Sequence, residues 1–291
     1  MHPKNRTLYL VRLPDLGSIH APAMQLEIVV LSKAGGREVN EDACGFWSTP
    51  EACFCALSDG LGGHYGGDVA SKLAVEHILD WFRETPECSA RAVKASLEAG
   101  NSAIMREQQR DIRLRQMRAT AVVLSIDTKH DMAIWGHTGD SRLYCFRQGR
   151  IIEQTRDHSV LQSMVDAGYL QPRELRISPN RSKLLAALGN ERQFEMGIKS
   201  VEFPLLHGDI FLLCTDGLWE YVEEEDMERM LGASTSAPEW LRALENQVLA
   251  RGHAGQDNYS AIAVWCSDPD ETTRFDTSQR AETILSDEIP L

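Results

Sequence analysis

The stretch CFCALSDGLGGH, from Cys53 to His64, combines the two features on which the fold prediction depends. Its first half is an uninterrupted apolar run, which is typical of a buried strand. Its second half changes at once to Asp59-Gly60, and a carboxylate beside a glycine can reach into a cleft while the backbone turns tightly. The stretch therefore predicts a buried strand that ends at an acidic site.

Acidic residues stand at strand ends in four other segments of the chain, which are REVNED at 37–42, HTGDSR at 137–142, LCTDG at 213–217 and QDN at 256–258. If the strands bring these acids together, their repulsion must be neutralised, since two carboxylates about 4 Å apart repel by roughly 4 kcal/mol at an effective dielectric constant near 20. Oxygen ligands without His or Cys favour hard ions. The pattern therefore indicates Mg²⁺ or Mn²⁺, with the Gly60 carbonyl free to approach an ion.

Each segment also has a simpler interpretation when it is taken alone. Asp-Gly is a common turn, Asp-Asn before a strand is a common cap, and Arg37 is an ordinary surface arginine. Gly60 to Gly67 lacks the Lys-Ser/Thr of a phosphate-binding P-loop and does not match a GxGxxG fingerprint. Only the set of segments, in this order, points to a site.

The overall composition limits the classes of function. The 291 residues carry a formal net charge of -13, which argues against nucleic-acid and anionic-membrane partners. The sequence contains no stretch of 18 apolar residues, so it predicts no transmembrane helix. The seven cysteines show no zinc-ligand spacing, and we interpret them as buried thiols in a reducing compartment. These features together predict a cytoplasmic protein.

Periodicity predicts strands at 26–31, 53–57, 121–126, 132–135, 142–146, 151–152, 210–214 and 259–266, and helices at 69–82, 90–109, 160–167, 225–231 and 239–251. Many strands with a few long helices indicate an α+β domain built around packed sheets. Residues 1–24 are punctuated by prolines and show no period, so we expect an extension outside a domain at 25–267. The acidic segment 268–291 is expected to be a disordered tail.

The segments, taken in order, resemble the PPM family, the metal-dependent (type 2C) serine/threonine protein phosphatases. The form DGLGGH at 59–64 is similar to that of bacterial members. TRDHS at 155–159 and the segment 179–189 also resemble family features. The resemblance implies a central β-sandwich of two antiparallel sheets with helices on both outer faces and metals at one end. It further implies that 158–190 is a flap-like segment beside the site.

The resemblance also implies a role for each site residue. Two Mn²⁺ or Mg²⁺ ions, and a third bound weakly, would be held by Asp59, Gly60, Asp216, Asp257, Glu41, Asp42 and Asp140. Asp59 would bridge two ions, Glu41 and Asp42 would act mostly through water, and Asp140 would serve the third ion. The catalytic group would comprise Asp59 and Arg37, which would grip the phosphate. We add His64 to this group as a candidate general acid from its position in the sequence, not from the resemblance.

The chain departs from the family pattern at two places. Many eukaryotic members have His directly after the Asp-Gly pair, where this chain has Leu61, so the general acid is either His64 or a metal-bound water, and we favour the water. Members often show Met-Gly-Thr-Thr where this chain has MRAT at 117–120. Arg118 in place of glycine either narrows or charges the rim of the cleft, or marks a different local backbone.

The implied function is hydrolysis of phosphoserine and phosphothreonine monoesters by a metal-activated hydroxide, which would reverse a cytoplasmic Ser/Thr kinase in bacterial signalling. Expected partners are phosphoproteins and a cognate kinase system, with the chain acting as a monomer. One rival is a pseudophosphatase, but Asp59, Asp216 and Asp257 are all retained. Other rivals are a hydrolase of small phosphoesters on another fold, and a binding module, which leaves the carboxylates unexplained.

Overall fold

The computed structural model describes residues 8–12, 24–62, 66–178, 180–190 and 194–267. The strands within these ranges are β1 Leu8–Arg12, β2 Gln25–Lys33, β3 Asp42–Ser48, β4 Ala52–Leu61, β5 Arg118–Ala119, β6 Ala121–Asp127, β7 Met132–Thr138, β8 Arg142–Arg147, β9 Arg150–Gln154, β10 Gly197–Ile198, β11 Phe203–Pro204, β12 Ile210–Cys214 and β13 Tyr259–Ser267. The helices are α1 Gly67–Glu84, α2 Ala90–Arg110, α3 Val160–Asp166, α4 Glu174–Ile177, α5 Asp216–Trp219, α6 Glu224–Gly232 and α7 Ala237–Arg251, with a 3₁₀ turn at Ile112–Leu114.

The strands form two antiparallel sheets. The first sheet has the strand order β1-β2-β13-β12-β8-β9, and the second has the order β10-β7-β6-β4-β3. In the second sheet, β11 also pairs with β7, and β5 also pairs with β4. Antiparallel pairing allows neighbouring strands to be joined by short turns, and the pairs β3–β4, β6–β7 and β8–β9 are hairpins of this kind.

Alternation along the strands creates the core between the sheets. On β2, Ile28 faces the other sheet and Val29 faces the outer helices. On β4, Cys55 likewise faces the other sheet and Phe54 faces the outer helices. A strand with both faces covered must be apolar at every position, which is why these segments read as continuous apolar runs. Four of the cysteines lie in this inner core, as small buried thiols: Cys53, Cys55, Cys145 and Cys266.

Helices cover the outer face of each sheet. The long helices α1 and α2 pack on the second sheet, where Ile78, Phe82 and Leu97 are fully buried. Helices α5, α6 and α7 pack on the first sheet around the buried ring of Trp240. The predicted α+β sandwich with helices on both faces is confirmed.

Of the strands in the described residues, β1, β3 and the two-residue strands β5, β10 and β11 were not predicted. Strand β3 contains Gly45 and is half-buried along most of its length, so its pattern is weaker than that of an apolar run. Strand β1 pairs along the edge of β2, so part of the predicted N-terminal extension belongs to the first sheet. The expectation that all of 1–24 lies outside the fold is wrong for Leu8–Arg12, because a five-residue run is long enough for an edge strand.

The remaining boundaries concern the chain ends and the flap-like segment. Strand β2 begins at Gln25, and strand β13 ends at Ser267. The predicted tail at 268–291 lies outside the described residues. The flap-like segment contains α3 and α4, and backbone bridges join Ser159 to Leu184 and Ala119 to Leu188. In the described part of the chain, no helix is both long and apolar enough to cross a membrane.

Candidate metal centre

The predicted acids converge at one end of the sandwich. Asp42 and Asp59 are directly opposite each other in the β3–β4 pair, and Asp216 begins α5 immediately after β12. The pKa of Asp59 is raised well above its usual range, first by burial and then by the negative charges of Asp216, Asp42, Asp140 and Asp257. The mutual repulsion inferred from the sequence is therefore present in the fold.

Glycines allow the loops around this cluster to pack without side chains. A Cβ atom on Gly60 would lie 2.0 Å from the carbonyl oxygen of Gly67 at the start of α1, and one on Gly67 would lie 2.6 Å from Glu41 Oε1. A Cβ atom on Gly217 would lie 1.9 Å from the carbonyl oxygen of Asn258. The glycine of each Asp-Gly pair is thus needed because another backbone passes directly against it.

Two carboxylates of the cluster are incompletely satisfied. Asp42 accepts a hydrogen bond on Oδ2 from Thr215 Oγ1 at 3.0 Å, but its Oδ1 is buried without a partner, and so is Oδ1 of Asp216. Burial raises the pKa of Asp42 to about 8, and burial with the charges of Glu220 and Asp257 raises the pKa of Asp216 to about 7. Buried acceptors with elevated pKa values are what a cation-binding site presents before a cation binds.

These observations fit a hard divalent ion. The donors are carboxylate and carbonyl oxygens, and orphaned oxygens of Asp42 and Asp216 lie within the cluster. Among the described residues, no three His, Cys, Asp or Glu side chains already form a complete set of ligands around one point. Ions that bind here would therefore draw the carboxylates together and complete their shells with water or backbone oxygens such as Gly60.

The raised pKa values predict how the metal-free protein responds to pH. Since the folded-state pKa values of Asp42 and Asp216 exceed the usual 3.8, the folded state binds more protons than the unfolded state between about pH 4 and pH 8. The free energy of unfolding should fall as pH rises through this window, by up to about 1.4 kcal/mol per pH unit for each group. Urea unfolding in chelator at pH 5 and pH 8 measures the fall.

The variant Asp42→Asn should reduce this pH dependence, whereas Asp80→Asn, at an exposed acid on α1, should leave it unchanged. A metal-free protein that becomes more stable between pH 5 and pH 8 would show that the acidic cluster is not under electrostatic strain.

The predicted phosphate-binding arginine lies at the exposed side of the cluster. Arg37 Nη2 donates to Asp257 Oδ2 at 2.9 Å, and about half of each side chain is exposed. Burial and the charges of Asp68 and Asp257 raise the pKa of Glu41, which places Glu41 in the same acidic field. His64 lies outside the described residues, so its role as a general acid stays a prediction.

The backbone at Gly139 and Asp140 is held by two partners, His158 and Trp219. Gly139 adopts a positive φ of 94°, its N–H donates to His158 Nδ1 at 3.2 Å, and its carbonyl accepts from the His158 N–H at 2.9 Å. Trp219 Nε1 donates to the Asp140 carbonyl at 2.9 Å. Trp219 in turn stacks under Arg142, whose Cζ lies 3.6 Å from the ring centroid. The position of Asp140 thus depends on residues distant in sequence.

Sequence reasoning gave no role to two residues that shape the site. Asn258 accepts from the Glu41 N–H at 2.8 Å and donates to the carbonyls of Ala34 and Val39 at 2.9 and 3.0 Å, which holds the Arg37 loop against β13. Thr120 Oγ1 accepts from the Asp59 N–H at 2.9 Å. A single asparagine or threonine carries no sequence signal for such a contact, although Asn258 directly follows a predicted ligand.

The flap-like segment is tied to the helices beside the cluster by ion pairs. Arg181 pairs with Glu220, and Arg176 Nη2 pairs with Glu224 Oε2 at 2.5 Å. Glu220 is one of the charges that raise the pKa of Asp216. The described part of the segment therefore lies next to the acidic cluster.

Comparison with known proteins identifies the family of this chain. The family model described as protein phosphatase 2C matches residues 32–251. Because this match covers most of the two-sheet sandwich and its acidic edge, the chain belongs to the protein phosphatase 2C family, as the sequence motifs predicted. It is 30% identical over 234 residues to the serine/threonine phosphatase stp of Listeria welshimeri, covering 78% of this chain and 90% of that relative.

The serine/threonine protein phosphatase PstP of Mycobacterium tuberculosis is 32% identical over 209 residues, which cover 71% of this chain but only 39% of PstP. A crystal structure of PstP/Ppp superposes with a TM-score of 0.73 at 30% identity, covering 83% of this chain and 99% of that one. A second crystal structure, of the PstP catalytic domain in complex with two manganese ions, superposes with a TM-score of 0.69 at 28% identity. The match covers 84% of this chain and 99% of that one.

Proposed function

We propose that this chain is a metal-dependent serine/threonine protein phosphatase that hydrolyses phosphoserine and phosphothreonine monoesters with two Mn²⁺ or Mg²⁺ ions. The observation that carries the proposal is the acidic cluster, in which Asp42 and Asp216 each keep a buried oxygen without a partner. The retained motifs and the names of the relatives support it. The two manganese ions bound to the PstP catalytic domain support the ion count.

The ions, when bound, make hydroxide available near neutral pH and balance charge on the phosphoryl oxygens. Asp59, between the other acids, would hold both ions, and Asp216 and Asp257 would complete the shell of the first. Glu41 and Asp42 would face the second, and Asp140 with Asp216 would serve a third, weaker one. Ligand charge from these side chains fixes where the ions stand.

Arg37 would bind the phosphate of the substrate. Its guanidinium is half-exposed and is anchored through one nitrogen to Asp257. The remaining N–H groups form a planar fork that fits two phosphoryl oxygens. An arginine at the exposed side of the cluster would therefore orient the phosphate toward the ions and stabilise its charge during displacement.

The proposal extends to the cellular setting. Phosphoproteins would be the substrates, and the chain would reverse the action of a cognate Ser/Thr kinase in the cytoplasm while acting as a monomer. The relatives' names, which specify serine/threonine phosphatases of bacteria, support this setting. The leaving oxygen would receive its proton from metal-bound water or from His64.

A comparison of substrates tests the proposal. Purified protein with Mn²⁺ should release phosphate from phosphoserine and phosphothreonine peptides, and the release should stop in EDTA. Nucleoside phosphates and sugar phosphates at equal concentration should be poor substrates. Faster release from nucleotides than from any phosphopeptide would indicate a small-phosphoester hydrolase, and no release from any substrate would indicate a pseudophosphatase.

A further inference from the structure

A basic segment stands beside the site of an otherwise acidic chain. Residues 106–118 contain five arginines and two acids, a formal charge of +3 in a chain whose net charge is -13. The arginines are Arg106, Arg110, Arg113, Arg115 and Arg118. The segment runs from the end of α2 through the 3₁₀ turn into β5. The proposed chemistry does not use this positive charge.

Strand β5 brings the last of these arginines to the site. In the β4–β5 pair, Arg118 lies opposite Leu61 and Ala119 lies opposite Gly60. The N–H of Ala119 also donates to the carbonyl of Leu188, at the end of the flap-like segment, at 3.3 Å. Arg118 is therefore on a short strand between the Asp-Gly turn and the flap-like segment.

The strand register decides which face Arg118 occupies. Ala119 is buried among the residues that pack on α1 and α2, and Gly60 opposite it abuts Gly67 of α1. Directly opposed residues point to the same face, and successive residues alternate. Arg118 therefore lies on the face away from the helices, which is also the face of Asp59.

The contacts of Arg118 leave most of its guanidinium available. Arg118 is half-buried, and its Nη1 donates to the carbonyl of Met117 at 2.8 Å. Burial alone lowers its pKa, and no carboxylate of the described residues forms an ion pair with it. Arg118 is also not among the main charges that act on Asp59 or Asp216. It is a cation at the rim of the cluster rather than a neutralising partner within it.

We propose that Arg118 binds an anionic group of the phosphoprotein beside the phosphoserine, so that the chain selects phosphorylation sites with acidic flanks. The inference rests on the proposed function and specifies its substrate class. The anion is a flanking Asp or Glu carboxylate or a second phosphate, both of which fit the guanidinium fork. Arg106 and Arg115, both exposed, add to the positive potential that attracts such a segment.

The test uses three phosphoserine peptides of equal length, with neutral flanks, with acidic flanks and with a second phosphoserine. Both kcat/KM with Mn²⁺ and the Kd from fluorescence anisotropy are measured for the wild type, Arg118→Gln and Arg118→Gly. Glycine restores the residue that family members often carry. Arg91→Gln, at an exposed arginine on α2 whose side chain is 84% exposed, is the matched control. Thermal unfolding verifies that each variant is folded.

The wild type should prefer at least one anionic peptide over the neutral peptide by about tenfold, mainly through KM, as expected for one charge-assisted contact at a half-buried site. Arg118→Gln and Arg118→Gly should reduce that preference to less than about twofold, and Arg91→Gln should keep it. The peptide that loses its advantage identifies the anion as carboxylate or phosphate.

The inference is overturned if the wild type shows no preference in either kcat/KM or Kd, or if both Arg118 variants retain it. The proposed function fails in a different way. Tight, Arg118-dependent binding of anionic peptides without any phosphate release would support this inference and contradict the proposed phosphatase activity.

Discussion

Asp59→Asn is expected to lower kcat on a phosphoserine peptide by at least about a hundredfold. The charges of four other carboxylates act on Asp59, so we expect this side chain to contribute to holding both ions. The substitution removes ligand charge while preserving shape, so the loss would reflect the chemistry at the ions. Phosphate release at saturating peptide measures the effect, and Asp216→Asn and Asp257→Asn should show losses of the same order.

The fold of Asp59→Asn should be retained, because removing one carboxylate relieves repulsion in the cluster. Circular dichroism and thermal unfolding in chelator check this. Asp80→Asn, at an exposed ion pair on α1, is the control and should keep full activity. An unfolded Asp59→Asn protein would mean that the acid is structural, and an active folded one would remove it from the mechanism.

Asp157→Ala is expected to lower the free energy of unfolding by about 3–5 kcal/mol. Arg142 Nε and Nη2 donate to the two oxygens of Asp157, both at 2.8 Å, and the side chains are only 3% and 4% exposed. Removing Asp157 leaves the Arg142 charge buried, with Tyr144 as a hydrogen-bond partner and the partly exposed Glu224 at 3.5 Å. The same arginine stacks on Trp219, so the damage should extend to the contact that holds Asp140.

Urea unfolding of the metal-free protein measures this loss without depending on ion binding. The control is Asp80→Ala, which breaks the pair with Arg83 where both side chains are nearly half exposed. Exposed pairs of this kind contribute about 1 kcal/mol or less. Equal, small losses for Asp157→Ala and Asp80→Ala would show that the buried pair contributes little to stability.

The fold was predictable where burial leaves a regular pattern. The run ending at Cys214 and the helix ending at Glu84 are apolar on the faces that the sandwich buries, so periodicity located them within a few residues. Strand β3 escaped because its half-buried residues include Gly45, and the pairing of β1 with β2 is a long-range contact that no local pattern encodes.

The convergence of the acids was predictable because most of them stand at a strand end beside Gly or Asn. What the sequence does not encode is the support around them. Asn258 binds three backbone groups of the Arg37 loop, and Asp157 reaches Arg142 across fifteen residues. Asn258 and Asp157 both lie in motifs recognised in the sequence, but a motif does not show which distant residue each side chain contacts. Only the fold brings such partners together.

We expect the clustered carboxylates to hold the ions on which phosphatase activity depends. Calorimetric titration of Mn²⁺ into the metal-free wild-type and Asp59→Asn proteins measures this binding. The wild type should bind two ions per chain, and Asp59→Asn should lose at least one of them or bind it at least tenfold more weakly. Equal stoichiometry and affinity in the two proteins would contradict the claim, because Asp59 would then have no part in holding either ion.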